Sequence, residues 1–157
     1  MVEHPIKPVF DENSRILILG SFPSVKSREV NFFYGHPQNR FWKVLAVVFD
    51  AEVPGTVDEK REFLLKNRVA VWDVIKSCDI VGSSDSSIKN VVPNDLHEIL
   101  SQAEIEQIFV NGKKAEQLYK KYIQNELGRE AICLPSTSPA NAAWNLDKLV
   151  AEWKKIL

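Results

Sequence analysis

The stretch from Gly20 to Leu45 holds the residues whose types and spacing suggest chemistry. It reads GSFPSVKSREVNFFYGHPQNRFWKVL, so a Gly-Ser-Phe-Pro-Ser turn, three adjacent aromatic residues and a His-Pro-Gln-Asn-Arg run follow one another. Aromatic rings offer a stacking surface, and an amide side chain both donates and accepts hydrogen bonds. No cluster of strong acids, bases or metal ligands stands beside them. The stretch therefore favours chemistry that depends on stacking and on orientation.

Strand and helix patterns alternate along the chain and must position these residues. Short apolar runs predict buried strands over residues 15–21, 68–75, 105–112 and 130–137. Periodic or capped segments predict helices over residues 38–49, 57–67, 93–103, 113–128 and 139–157, with Pro93 in a first turn and Gly128 as a helix end. Residues 76–90 are polar and rich in serine, which predicts an exposed loop. The alternation predicts an α/β fold, a three-layer α/β/α sandwich around a mainly parallel sheet of about four strands.

Composition narrows the class of protein. A chain of 157 residues, 45% of them apolar, predicts one domain over residues 1–157. The formal charge of −1 does not indicate a polyanion-binding protein, although a local basic face is compatible with it. Two cysteines far apart are too few for a zinc or iron–sulfur site, which favours free thiols. No apolar signal core or membrane span is present, so we expect a cytoplasmic protein.

The loops that follow the predicted strands are also the richest in polar motifs. They cover residues 20–39, 73–90, 111–114 and 135–141. In parallel α/β sheets, ligands bind at the carboxyl ends of the strands, where these loops and the helix N-termini meet. We therefore expect a site at that edge.

Three motifs in order resemble the uracil-DNA glycosylase superfamily. They are Gly20-Ser21-Phe22-Pro23-Ser24, the run from Phe33 to Trp42 that reads FYGHPQNRFW, and Pro135-Ser136-Thr137-Ser138-Pro139-Ala140-Asn141. The branch most similar is that of the hypoxanthine-DNA (deoxyinosine) glycosylases, and the mismatch-specific uracil-DNA glycosylases share the His-Pro-x-Asn-Arg-Phe-Trp run. The resemblance extends from Gly20 to the last helix.

The resemblance implies that Tyr34 stacks a base extracted from DNA, as base excision requires. Core packing is the alternative for Tyr34 and for its neighbours Phe32 and Phe33. The Ser138-Pro139 pair is similar to a loop that pinches the DNA backbone. The residues expected to contact DNA are Ser21, Ser24, Arg40, Ser138, Pro139 and Asn141, with Lys26, Arg28, Lys113 and Lys114 as further candidates for a phosphate-facing patch. For Ser24 and Ser138, capping of turns or helices is an equal alternative.

The sequence departs from the better-known branches of that superfamily at two positions. Phe22 stands where they carry an Asp or Asn that positions the attacking water, and Ser136 stands where the main uracil branch carries His. The resemblance to the deoxyinosine branch implies that Asn39 is catalytic, its amide oxygen orienting a water while its N–H₂ group contacts the base or a phosphate. Phe22 would then act through its backbone N–H. A helix N-cap is the alternative role for Asn39.

Asp73 occupies the place where members of the superfamily carry a base-recognising Asn. The expected base-binding residues are thus Phe22, Tyr34, Asp73 and Ser136. An ionised Asp73 would oppose negative charge on a leaving base, so either burial raises its pKa or it caps a loop. His36 could be a general acid or could stabilise a turn, and Asn111 is expected in a strand-end turn.

The sequence thus predicts a monofunctional DNA glycosylase that hydrolyses deoxyinosine, and deoxyuridine as a second substrate, to leave an abasic site. No metal or organic cofactor is implied. The partner is DNA with deaminated bases, and we expect a monomer. Two alternatives stay open: a uracil or mismatch glycosylase, and a non-catalytic module that binds damaged DNA. A small-molecule hydrolase is a weaker option because no G-x-S-x-G elbow or phosphate loop is present.

Overall fold

Seven strands form two sheets in the computed structural model, which describes all 157 residues. In chain order the strands are β1 (Val2–Glu3), β2 (Ile16–Gly20), β3 (Val69–Asp73), β4 (Ile75–Asp79), β5 (Lys89–Pro93), β6 (Gln107–Asn111) and β7 (Ala131–Leu134). The larger sheet has four strands in the order β3-β2-β6-β7, and each neighbouring pair is parallel. The predicted parallel sheet of four strands is confirmed.

The helices connect these strands and cover the larger sheet. They are α1 (Val25–Val30), α2 (Phe41–Val48), α3 (Val57–Lys66), α4 (His97–Leu100), α5 (Lys113–Tyr122), α6 (Gln124–Leu127) and α7 (Leu146–Trp153). β3 lies on one side of β2, and β6 and β7 lie on the other. Right-handed crossovers to opposite sides place the connecting helices on opposite faces, which gives the three-layer sandwich. The strands are buried accordingly, and Leu17, Ile18 and Leu19 of β2 are fully inaccessible.

Local sequence signals explain where several helices begin and end. Thr56 and Glu59 form a capping box at the start of α3, and Asn145 accepts a hydrogen bond from the N–H of Lys148 at the start of α7. Gly128 ends α6 in the left-handed conformation. One cluster of 36 buried hydrophobic residues joins helices and sheet from Ile6 to Ile156.

Several details of the secondary structure differ from the prediction. Residues 76–90 contain most of β4 and the start of β5, which pair antiparallel in the smaller sheet β1-β4-β5. Pro93 ends β5, so the helix predicted over 93–103 is only the short α4. The last helix begins at Leu146, after a series of turns, and α1 was not predicted. The smaller sheet escaped prediction because β5 is largely exposed and carries no apolar alternation.

The strand register decides which residues meet at the carboxyl edge of the larger sheet. Gly20 pairs with Asp73 at the ends of β2 and β3, and Asn111 pairs with Leu134 at the ends of β6 and β7. Since Leu19 pairs with Val110, Gly20 and Asn111 also end side by side. The loops after all four strands therefore open at one edge, as predicted.

Candidate active site

A polar cleft of about 360 Å³ lies at the carboxyl edge of the larger sheet. It takes residues from the loops after all four strands, and it includes every predicted site residue except Arg40, Asn141 and the four further basic candidates Lys26, Arg28, Lys113 and Lys114. The lining residues are Gly20, Ser21, Phe22, Pro23, Ser24, Ser27, Phe33, Tyr34, His36, Asn39, Asp73, Ser83, Asp85, Asn111, Ser136, Thr137, Ser138, Pro139 and Ala140. No lysine is among them.

Asp73 forms the deep end of the cleft together with a residue that sequence reasoning missed. Its carboxylate is buried, and Oδ2 lies 2.7 Å from Nε2 of His4. The N–H of Ile6 donates to Nδ1 of His4 at 3.2 Å, so Nδ1 is an acceptor and the proton resides on Nε2. His4 therefore donates to Asp73, and the pair fixes the orientation of the carboxylate.

His4 reaches Asp73 because the N-terminal segment lies against the sheets. Its own N–H donates to the carbonyl of Lys76, and Val9 pairs with Val71 of β3. The imidazole packs edge-on against Phe22, with ring centroids 5.8 Å apart. Nothing in the segment EHPIKP signals this contact, because the partner lies 69 residues away in the sequence.

Gly20 leaves room for the second oxygen of Asp73. A Cβ atom added at Gly20 would collide with Asp73 Oδ1 and would lie 3.1 Å from the hydroxyl oxygen of Tyr34. Neither Oδ1 nor the buried Tyr34 hydroxyl has a hydrogen-bond partner in the protein. Burial, with the Asp73 charge as a smaller cause, raises the pKa of Tyr34 far above its usual value, while the nearby Asn111 amide partly opposes the shift. The phenol is therefore a permanent donor beside a free acceptor.

The Tyr34 ring offers only one face to the cleft. Its other face stacks on Phe41, with centroids 3.9 Å apart and an interplanar angle of 20°. Tyr34 also has a positive φ of 50°, which the turn before Gly35 imposes. Phe32 and Phe33 are buried in the core, in agreement with the packing alternative for those two residues.

Asn39 uses its amide oxygen within the protein and leaves its N–H₂ group free. Oδ1 accepts from the N–H of Phe41 at 2.9 Å and from the hydroxyl of Thr137 at 2.9 Å. Because a backbone N–H can only donate, the orientation of the amide is fixed. Asn111 in turn holds Thr137, because its amide donates to Thr137 Oγ1 and its Oδ1 accepts from the N–H of Thr137. The expectation that the oxygen of Asn39 orients a water differs from this geometry, since both of its lone pairs are occupied.

The loop after β7 forms the opposite wall of the cleft, and Arg40 fixes its shape. The guanidinium donates to the carbonyls of Ser138 and Asn141, both at 3.0 Å, and to that of Trp144. Ser136 Oγ accepts from the N–H of Ser138, and the Asn141 amide donates back to the carbonyl of Ser136. Arg40 and Asn141 thus shape the wall rather than line the cleft.

The turn after β2 forms the remaining wall. Phe22 packs its ring between His4 and the guanidinium of Arg28, and its backbone N–H has no partner in the protein. Ser24 caps α1, because its Oγ accepts from the N–H of Ser27 and donates to Ser27 Oγ. The capping alternative therefore describes Ser24, and Ser138 likewise caps a turn, because its Oγ accepts from the N–H of Ala140 while its hydroxyl proton stays available.

Asp85 is a second carboxylate in the cleft that sequence reasoning missed. It lies in the loop between β4 and β5, is exposed, and accepts from the Ser21 hydroxyl at 3.2 Å. Although the residue as a whole is exposed, neighbouring atoms restrict hydration of its carboxyl, which raises the pKa of Asp85, while the Ser21 hydrogen bond and the charge of Lys114 lower it. The sequence offered a clue to Asp85, because it lies within residues 73–90, one of the loops expected at this edge.

Smaller roles fall to the other candidate residues. His36 accepts from the N–H of Gln38 through Nδ1, which stabilises the turn before α2. Lys26 pairs with Glu29 on α1.

No three His, Cys, Asp or Glu side chains come close enough together to hold a metal ion. No helix has the length and apolar character needed to cross a membrane.

Comparison with known proteins agrees with this fold. Residues 7–157 match the family described as the uracil DNA glycosylase superfamily. The chain is 34% identical to the hypoxanthine DNA glycosylase of Methanosarcina acetivorans over 160 residues, which cover 99% of this chain and 98% of that protein. It is also 34% identical to the hypoxanthine DNA glycosylase of Methanosarcina barkeri, with 90% of this chain and 89% of that one covered.

A solved structure shows the same architecture. The solution NMR structure of a candidate uracil DNA glycosylase from Methanosarcina acetivorans superposes with a TM-score of 0.84 at 32% identity, covering 99% of this chain and 96% of that one. Fold and cleft therefore define an α/β sandwich with a polar site at the carboxyl edge of its sheet. The chain belongs to the uracil DNA glycosylase superfamily.

Proposed function

We propose that this protein is a monofunctional DNA glycosylase that hydrolyses the N-glycosidic bond of deoxyinosine, releasing hypoxanthine and leaving an abasic site. Deoxyuridine is the second substrate in this proposal. The observation that carries it is the deep end of the cleft, where Asp73 presents a free carboxylate oxygen that His4 holds in place. The names of the relatives from the two Methanosarcina species support the choice of base.

The Asp73 carboxylate selects a base by whether the ring nitrogen that faces it is a hydrogen-bond donor or an acceptor. Hypoxanthine and uracil both carry a ring N–H beside a carbonyl, whereas the corresponding ring nitrogens of adenine and cytosine are acceptors. The carboxylate accepts a hydrogen bond from a ring N–H and repels a lone pair. Because the proton of His4 lies on Nε2 and points at Oδ2, Asp73 keeps its other oxygen, Oδ1, as the free acceptor. One pocket can thus accept both deaminated bases and reject their parents.

Bond cleavage depends on donors that face the departing base. The charge of Asp73 opposes the negative charge that builds on the leaving base, so other groups must stabilise that charge. The free N–H₂ group of Asn39 and the free N–H of Phe22 are donors available at the cleft, as are the hydroxyl protons of Tyr34 and Ser138. Such preorganised dipoles are effective because they need no reorientation during the reaction.

Two further features of the cleft support the proposal. No lysine lines it, so no amine stands ready to form a Schiff base with the sugar, which supports a glycosylase without lyase activity. The open face of Tyr34 offers a stacking surface for one extruded base.

The test uses labelled duplexes that carry one inosine, uracil, xanthine or normal base, followed by alkali cleavage of abasic sites. We expect cleavage at inosine and uracil and none at adenine or cytosine. Asp73→Asn should relax the discrimination against adenine, because an amide can present either a donor or an acceptor. Asp79→Asn is the matched control, since Asp79 is a carboxylate at the end of β4 that bonds Asn90 outside the cleft. A protein that binds inosine DNA without ever cleaving it would instead be a damage-binding module.

A further inference from the structure

Two carboxylates line the cleft in opposite environments, and the proposed function uses only one of them. Asp73 is 4% exposed and is tied to His4. Asp85 lies in the exposed loop between β4 and β5, and only its Oδ1 has a partner, the Ser21 hydroxyl. A pair of acids whose surroundings differ in this way is typical of enzymes that give each acid a separate task.

Hydrolysis needs an acceptor that can hold and deprotonate a water. The oxygen of Asn39 already accepts two hydrogen bonds from the protein. Ser136 Oγ accepts from Ser138, and Ser138 Oγ accepts from Ala140. Since Asp73 is assigned to the base, the free oxygen of Asp85 is the remaining charged acceptor in the cleft.

We propose that Asp85 is a catalytic residue that orients the attacking water and accepts its proton. This inference rests on the proposed function. The water oxygen bonds to C1′ of the deoxyribose as the C1′–N9 bond breaks, and the electron pair of that bond leaves with hypoxanthine. The proton of the water passes to Asp85 and from there to solvent or to the released base. One water is consumed, and the products are free hypoxanthine and an abasic sugar with a hydroxyl at C1′.

The loop that carries Asp85 is anchored well enough to position a water. Ser83 Oγ accepts from the N–H of Val25 at 2.9 Å, and Arg28 donates to the carbonyl of Gly82 at 2.8 Å. Ser87 Oγ accepts from the N–H of Val81 at 2.8 Å and donates to the carbonyl of Ser84 at 2.7 Å. These contacts tie the loop to α1 and to itself.

The surroundings of Asp85 also suit a base that faces solvent. Ser21 after β2 holds Oδ1, and the charged groups that face the carboxylate are Lys114 on α5 and Asp73 at the end of β3. Ser21 directly precedes Phe22, which leaves the first motif without a polar side chain at its third position. Asp85 thus supplies a carboxylate next to the turn that lacks one.

Single-turnover cleavage of inosine duplexes tests the inference. Asp85→Asn keeps the shape and the Ser21 contact but cannot accept a proton, so its rate should fall by about 10²–10⁴, the usual contribution of a general base. Binding of the same duplex should change little, because Asp85 makes no phosphate contact in this assignment. Asp79→Asn is the matched control and should keep the parent rate.

Two readouts separate catalysis from a structural role. The parent rate should fall as the pH drops through the pKa of Asp85, because the protonated acid cannot accept the water's proton, and Asp85→Asn should lose this limb. Sodium formate should restore part of the rate of Asp85→Ala by supplying a carboxylate in the vacated space, while sodium chloride at equal ionic strength should not.

The outcomes are distinct from those of the proposed function. A parent that cleaves inosine DNA, together with an Asp85→Asn variant of equal rate or unchanged pH profile, overturns the role of Asp85 and leaves the glycosylase assignment intact. A parent that binds but does not cleave any of the duplexes overturns both.

Discussion

The deep end of the cleft and its rim are built in different ways. At the deep end, Asp73 ends a buried strand and accepts a hydrogen bond from His4, whose tautomer is fixed. The Tyr34 ring stacks on Phe41, and Gly20 leaves just enough room for the polar atoms of Asp73 and Tyr34. At the rim, Asp85 stands on an exposed loop whose contacts are mostly serine hydroxyls and backbone groups. In the proposed function the rigid deep end selects the base, and in the role proposed for Asp85 the rim admits water and exchanges protons with solvent.

After Asp85, the largest effect is expected at Asn39, which also lines the cleft. Asn39→Ala should lower the single-turnover rate on inosine DNA by about 10²–10³, the loss typical of removing one preorganised polar group. It should also lower stability by about 1 kcal/mol, because the oxygen caps the N–H of Phe41.

Asn39→Asp separates the two effects on one side chain. Its carboxylate keeps the oxygen that Phe41 and Thr137 require but lacks the N–H₂ group. We expect thermal melting close to that of the parent and a rate as low as that of Asn39→Ala. An Asn39→Asp variant of full activity would assign Asn39 to helix capping alone.

The next largest effect concerns stability and tests whether the buried pair of His4 and Asp73 contributes more than an exposed pair of the same kind. His4→Phe removes the donor to a buried carboxylate and should lower the free energy of unfolding by about 2 kcal/mol, the range for hydrogen bonds to charged groups. His97→Phe is the control, because His97 makes a similar contact with Asp95 at 2.9 Å but the pair is exposed. Urea unfolding should show little change for the control. Equal losses in the two variants would remove the distinction between buried and exposed pairs.

A smaller effect is expected where Arg40 shapes the wall. Arg40→Lys keeps the charge but cannot reach three carbonyls with one planar group, so we expect about 1 kcal/mol of lost stability and weaker binding of DNA. Arg15→Lys serves as control, since Arg15 donates to the carbonyls of Glu12 and Ser14 away from the cleft. Thermal melting and duplex titration measure both quantities. An Arg40→Lys protein with weak binding but unchanged melting would favour direct phosphate contact.

The smallest effect is expected for Tyr34→Phe. The change removes a buried hydroxyl without a partner and keeps the ring on Phe41, so melting should stay equal or rise slightly and cleavage should change little. Tyr34→Ala should weaken cleavage of every substrate by about 1–3 kcal/mol, the range for base–aromatic stacking. If Tyr34→Phe were as slow as Tyr34→Ala, the hydroxyl beside Asp73 would be the working group.

Patterns within short windows were enough to predict the larger sheet and most of the helices. Buried strands such as β2 and β3 are short apolar runs, and α3 carries its own capping signals. The smaller sheet was missed because its strands depend on pairing rather than on apolar alternation, and the start of α7 was placed too early because turns and helices share residues such as Ala and Asn. The strand-end rule predicted the edge where the cleft lies.

The sequence by itself determined the fold class, the family and the edge of the sheet where the polar residues gather. These follow from apolar periodicity and from motifs that are contiguous in the chain. Only the tertiary structure decided that His4 holds Asp73 and that Asp85 enters the cleft beside Ser21, because these partners are 69 and 64 residues apart. It also decided which atoms of Asn39 are free, since the orientation of an amide depends on donors such as Thr137, 98 residues away. Contacts between such distant segments depend on how the elements pack together, so a short stretch of sequence does not specify them.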